Sequence, residues 1–225
     1  MTSASRRPEL EQMAATARIH LDAVNHAREV ALAACRRTIR ASGSSIRAVH
    51  RLDGAGAAAR ASEAEAALRE AQTAVAAFPS VGHAGFVHDA EKEYAEAIMT
   101  AALVAGRPLP GAEQIGVGVP AWLNGMAEAA SELRRHLLDR LREGQLALAE
   151  RLLGDMEDVY DLLVTVDYPD AVTAGLRRSA DALRAVLERT RSDLTTSILQ
   201  ARLQSALGQR LVEEGEVSDP EGPEA

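Results

Sequence analysis

Lys92-Glu93-Tyr94-Ala95-Glu96-Ala97 is the stretch on which the reading of this chain turns. In a helix, residues three apart share a face, so Glu93 and Glu96 present their carboxylates together. From Ile98 to Val104 only Thr100 is polar, and a helix that is apolar all round is one sunk in a core. Glu93 and Glu96 therefore stand where a helix enters the protein interior, and a carboxylate there is costly unless a cation, a metal or hydrogen bonds answer it. A second acidic pair lies in Trp122-Leu123-Asn124-Gly125-Met126-Ala127-Glu128-Ala129-Ala130-Ser131-Glu132-Leu133-Arg134-Arg135, where Glu128 and Glu132 are four apart. Taken singly, each pair is most simply a solvated helix face, with Lys92 one turn before Glu96 and with Arg135 and Arg142 near the second pair. Taken together, four acids on two helices make a candidate metal site.

Working outward, the chain of 225 residues is 47% hydrophobic and only 3% aromatic. Its apolar content comes from Ala and Leu with few β-branched runs, which favours close-packed helices over sheets. The expected fold class is all-α, a single-domain bundle of about six to seven helices. The net charge is -8, which excludes a surface coated with cations for nucleic acid, although an enclosed or local basic patch is compatible with it. Six of the acids fall between Glu213 and Ala225 without a base. Cys35 is the single cysteine and Lys92 the single lysine, so intrachain disulfides and thiolate zinc sites are excluded and a reducing compartment is expected. The polar start from Met1 to Met13 carries no signal-peptide core, and no apolar run of about 18 residues occurs, so a cytoplasmic location and no membrane partner are expected.

Helical spacing places a first helix from Pro8 to Leu52, with a kink expected at Ala41-Ser42-Gly43-Ser44-Ser45. A second runs from about Ala57 to Ala77 and stops at Phe78-Pro79-Ser80. The third carries Glu93 and Glu96 and ends before Gly106-Arg107-Pro108. Residues 108–120 hold too many prolines and glycines for more than a single short turn. The fourth helix begins at Pro120, with Trp122, Met126, Ala129, Leu133, Leu137 and Leu141 on its apolar side and Glu128, Glu132, Arg135 and Asp139 opposite. A fifth runs from Leu146 to Leu163, and a sixth from about Ala171 towards Leu211, with a break expected near Ser192 or Gly208. Residues 1–211 are thus one helical domain, and residues 212–225 an acidic tail expected to be disordered.

With these elements in order, Lys92-Glu93-Tyr94-Ala95-Glu96-Ala97, the run from Trp122 to Arg135, and Tyr160-Asp161 with Asp167-Tyr168-Pro169-Asp170 resemble the translin family. The nearer side is translin-associated factor X and its archaeal relatives. Ile46-Arg47-Ala48-Val49-His50-Arg51 and Leu176-Arg177-Arg178 add weaker agreement. The resemblance covers most of residues 30 to 200. It implies a bundle that assembles into a closed, hollow, octamer-like homo-oligomer holding single-stranded RNA, and single-stranded DNA as a second ligand, on the inside. It also implies a metal-dependent endoribonuclease, because the catalytic members carry an EYxEA pair plus an Asp and a Glu four apart. Those positions fall here on Glu93, Glu96, Glu128 and Glu132, the expected catalytic residues and ligands of Mg2+ or Mn2+. Glu128 departs from the usual Asp by one methylene, which displaces a metal-bound oxygen by about an ångström and can cost about 10²-fold in rate. Translin itself lacks the EYxEA acids, so the alternative is a non-catalytic binder of single-stranded nucleic acid.

The chemistry suits these residue types. Phosphodiester hydrolysis needs an activated water and an answer to charge on the leaving oxygen, and ions held by hard carboxylate oxygens supply both. The expected nucleic-acid contacts are His88, Lys92, Arg134 and Arg135, with His50 and Arg51 behind them. A ferritin-like di-iron bundle would need Glu-x-x-His pairs, and neither acidic pair has that spacing.

Overall fold

The computed structural model describes residues 5–217, all helices and connections, with no strand among the described residues. Six long helices are α1 (Arg7–His50), α2 (Gly54–Val75), α4 (Phe86–Val104), α6 (Val119–Arg142), α7 (Leu146–Val164) and α9 (Leu176–Val217); α3 (Pro79–Gly82), α5 (Ala112–Ile115) and α8 (Asp170–Thr173) are single turns between them. The all-α bundle expected from the sequence is what forms. Most of the acidic tail, residues 218–225, lies outside the described residues, as do residues 1–4.

Two helices are continuous where the sequence suggests breaks. In α1 the Ser44 hydroxyl donates to Arg40 O of the preceding turn and Ser45 Oγ donates to Ala57 O across the helix pair. Ser44 and Ser45 are thus satisfied without opening the backbone ladder, Ser42 Oγ is buried without a partner among the described residues, and the small size of these residues lets α2 approach closely. In α9 the Thr195, Thr196 and Ser197 hydroxyls likewise bond to carbonyls four residues back, and the helix passes Ser192 and Gly208 unbroken. It starts later than the spacing suggests. Ala174 and Gly175 take left-handed φ angles of 53° and 84°, so the chain turns between α8 and α9 instead of running helical from Ala171.

The pairs Ser45 with Ala57 and Arg37 with Glu70 run in opposite order along the chain, so α1 and α2 are antiparallel. Helix α4 lies between that hairpin and α6, and α6 in turn packs on α7 and α9. The connection from α4 to α6 doubles back. Glu91, one turn into α4, accepts hydrogen bonds from Gly118 N (3.1 Å) and Gln72 Nε2 (2.7 Å), and Trp122 Nε1 donates to Pro110 O (2.9 Å). The return of residues 105–118 starts α6 beside the first half of α4, so the two helices run the same way. Two large apolar clusters result, beside a small third of Ala48, Val49 and Ala57 against Ala101 and Val104 of α4. Tyr94 and Ala95 join the one under α1 and α2, while Met99 and Leu103 join the one among α6, α7 and α9. Helix α4 is therefore the shared wall of both, which is why its second half has no polar face to spare.

Candidate metal centre

Helices α4 and α6 touch at Gly125. A Cβ added there would lie 2.7 Å from Lys92 O and 2.8 Å from Ala95 Cβ, so only a residue without a side chain permits this approach. The contact sits one turn before Glu128, and the parallel course of the helices then lays the two acidic pairs alongside each other. Glu93, Glu96 and Glu128 each offer a carboxylate oxygen within 4.8 Å of the others. Glu96 is 9% exposed, whereas the Glu93 and Glu128 side chains are 30% and 37% exposed. The cluster is a trough with a buried floor and an open rim.

Lys92 is its built-in counter-ion. The ammonium Nζ lies 2.7 Å from Glu128 Oε1 and 3.8 Å from Glu93 Oε1. Burial works to lower its pKa, but the hydrogen bond and charge of Glu128, with Glu93 and Glu96, outweigh that and raise it. One cation does not neutralise three carboxylates. Burial, and after it the charges of Glu128, Glu93 and Glu132, push the Glu96 carboxyl up to about 8 against the pull of Lys92. Glu93 is raised too, chiefly by burial. Such crowding of acids is what a divalent ion relieves.

Glu132 stands at the edge. It is outside the group of three and is held by His50 of α1, whose Nε2 lies 2.8 Å from Glu132 Oε2. That hydrogen bond, working against burial and helped by the His50 and Arg135 charges, lowers the Glu132 pKa. The His50 side chain is 3% exposed, so it orients a carboxylate from behind and is not open to a ligand on the solvent side. The other expected contacts are spread out. Arg134 is tied to Thr190 Oγ1 (3.0 Å) and Asp193 Oδ2 (2.7 Å) of α9. Arg135 and Arg51 are exposed and His88 is half-buried in the first turn of α4. Neither the role of His50 nor that of Gly125 follows from local pattern. His50 acts through a contact spanning 82 positions, and Gly125 reads in the sequence only as a helix-weakening residue.

Whether these residues suit a divalent ion is a question of reach. Around one octahedral Mg2+ with bonds of about 2.1 Å, neighbouring oxygens are about 3.0 Å apart and opposite ones about 4.2 Å. Three oxygens within 4.8 Å of one another come to those separations by rotations of the glutamate side chains once Lys92 swings aside, and the donors are the hard oxygens such ions take. The residues fit.

An all-helical bundle with carboxylates gathered across two parallel central helices defines the class. The solved structures it is similar to include AfC3PO, free and in a complex with duplex RNA, each at 32% identity and a TM-score of 0.75. The match covers 85% of this chain and 98% to 99% of theirs. The chain belongs to the translin family, of which C3PO structures are members. Apo-NeC3PO, at 17% identity and a TM-score of 0.71 over 88% of this chain and 100% of its own, shares the fold. An uncharacterized protein of Methanocaldococcus jannaschii is 30% identical over 134 residues, 59% of this chain. The match spans 59% of that relative's own length. No family model matches the chain.

Proposed function

We propose that the chain is a divalent-metal-dependent endoribonuclease working within a hollow homo-oligomer, with Glu93, Glu96 and Glu128 as ligands of Mg2+ or Mn2+ and Glu132 beside them. The observation that carries this is the convergence of three carboxylate oxygens within 4.8 Å across α4 and α6, in a trough too acidic for its single lysine. The complex of AfC3PO with duplex RNA supports RNA as the ligand class, and within that class the family pattern implies a preference for single strands.

A bound divalent ion supplies electrostatic stabilisation of the phosphoryl oxygens and a more acidic water. The chain's own residues do the rest. Glu93, Glu128 and a deprotonated Glu96 would hold the ion, and Lys92 Nζ, now on Glu128, would then be free to turn towards a phosphate oxygen of the substrate. Glu132, ionised and oriented by His50, accepts a hydrogen bond from the attacking water. The open rim admits a phosphodiester while the floor excludes bulk water.

The test is incubation of end-labelled single-stranded and duplex RNA, and single-stranded DNA, with Mg2+, Mn2+ or EDTA. Metal-dependent internal cuts in RNA are expected, with single-stranded RNA cut faster. Glu96→Gln and Glu93→Gln are expected to lower the rate by at least about 10²-fold while RNA binding persists. Binding without any cleavage above the EDTA control would instead make this a translin-like carrier of nucleic acid.

A further inference from the structure

Between Val30 and Leu52 the chain has five arginines and no acidic residue, an unusual run in a protein with a net charge of -8. Arg37 is used structurally, paired with Glu70 of α2 at 2.5 Å. The other four are not. At about 100° per residue, Arg36, Arg40, Arg47 and Arg51 fall within an arc of about 60° on the face of α1 opposite its buried side. All four are exposed, and none forms an ion pair among the described residues. Arg47 Nη2 rests on Ser44 Oγ of its own helix at 2.8 Å, held in place without being neutralised. The stripe rises about 22 Å along the helix, the length of about six stacked nucleotides of one strand. Its end is next to the metal centre, because His50, between Arg47 and Arg51 in sequence, is the residue that holds Glu132.

An unpaired guanidinium row costs stability through self-repulsion and is relieved by a linear polyanion, for which guanidinium is the side chain suited to bidentate phosphate contact. We infer that Arg36, Arg40, Arg47 and Arg51 form a backbone track that holds an RNA strand and delivers it to the acidic trough; this rests on the RNA chemistry proposed above. Contacts of this kind go to phosphates, so the track reads no sequence. The nucleobases are left facing away from α1.

The experiment measures binding of a labelled single-stranded oligoribonucleotide to the full chain in EDTA, across a range of salt concentrations. The variant with all four arginines changed to glutamine is expected to lose affinity by at least about 30-fold at low salt. Its log Kd against log salt should flatten by about 3, the slope of four phosphate contacts to a single strand. Changing the same four to lysine restores much of the affinity. A charge-matched control, with Arg177, Arg178, Arg184 and Arg189 of α9 changed to glutamine, binds as the parent does. Equal losses in the two glutamine variants, or none in the α1 variant, would overturn the track. So would a fall in assembly mass confined to the α1 variant, since the stripe would then be a contact between copies. Failure of the unaltered chain to bind RNA at all would overturn the RNA reading itself, whereas a binding chain with an indifferent stripe overturns only the track.

Discussion

The Glu96 carboxyl gathers most of the electrostatic tension in this molecule. With its pKa pushed up to about 8 from a usual 4.5 by burial and by Glu128, Glu93 and Glu132, it keeps a proton that the unfolded chain has already released at neutral pH. The folded state binds more protons than the unfolded state between these two values, so stability falls as pH rises through that window. Below about pH 4.5 the penalty is absent, and above about pH 8 it is complete. For protein in EDTA, thermal unfolding at pH 5.5 and pH 8 should therefore show a larger drop in the parent than in Glu96→Gln, whose side chain copies the neutral acid; the difference is expected to be on the order of 5 °C. Added Mn2+ should reverse the drop only in the parent, and more strongly at pH 8, because the ion must displace that proton. Equal pH profiles for the two proteins would show that the acids do not share one field.

At the scale of elements, the site depends on how closely α4 and α6 lie. Gly125→Ala places a methyl group 2.7 Å from Lys92 O and 2.8 Å from Ala95 Cβ, and neither backbone nor Ala can rotate away. Overpacking of this kind costs about 1–3 kcal/mol, partly offset by about 1 kcal/mol of better helix propensity. Stability should therefore fall, by up to about 2 kcal/mol, while the helices move apart beside Glu128. The expected outcome is a Tm lowered by up to about 8 °C in a protein that still folds, and Mn2+ affinity, measured by calorimetry, weakened at least about tenfold; unchanged affinity would mean that the helix spacing does not set the ligand geometry. This division also explains what the sequence makes legible. Glu93 and Glu96 stand out because helical spacing pairs them and because Ile98 to Val104 announces a buried wall; Glu128 is paired in the same way with Glu132, and that the two pairs belong to one site is what the family resemblance implies. The parallel course of α4 and α6 does not stand out, since it rests on Glu91, Gln72 and Trp122 pinning the returning connection, contacts without any local pattern. For the same reason the sequence offers His50 as a ligand contact, whereas in the fold α1 passes behind Glu132 and His50 supports that carboxylate. Ser42 to Ser45 and Ser192 suggest breaks in α1 and α9 because helix propensity is local, whereas both helices run on through these positions, α1 under the packing of α2 against its small residues.

The whole molecule leaves two long helices unsupported. Along the first half of α1, Leu10, Met13, Ile19 and Leu21 are exposed, and along the last part of α9, Leu199, Leu203 and Leu207 are exposed as well. The three leucines of α9 are four apart and line one face. Isolated helical arms of this length are marginal in water, and most helix stability comes from packing an apolar face, so these arms call for cover that the described residues do not supply. A second copy offers it most economically, because the same exposed faces recur on every copy and can close a ring or shell. Native mass spectrometry should accordingly find a multiple of the 23.9 kDa chain at micromolar concentration. Changing Leu199, Leu203 and Leu207 to aspartate should shift that mass downward. The acidic trough is built from α1, α4 and α6 of one chain, so Mn2+ binding should survive the dissociation, whereas RNA, held in the proposed shell by the basic tracks of several copies at once, should be retained more weakly. A clean monomer in the unaltered protein would leave the arms unexplained and remove the enclosure from the proposed mechanism, while the metal centre would stand on its own geometry.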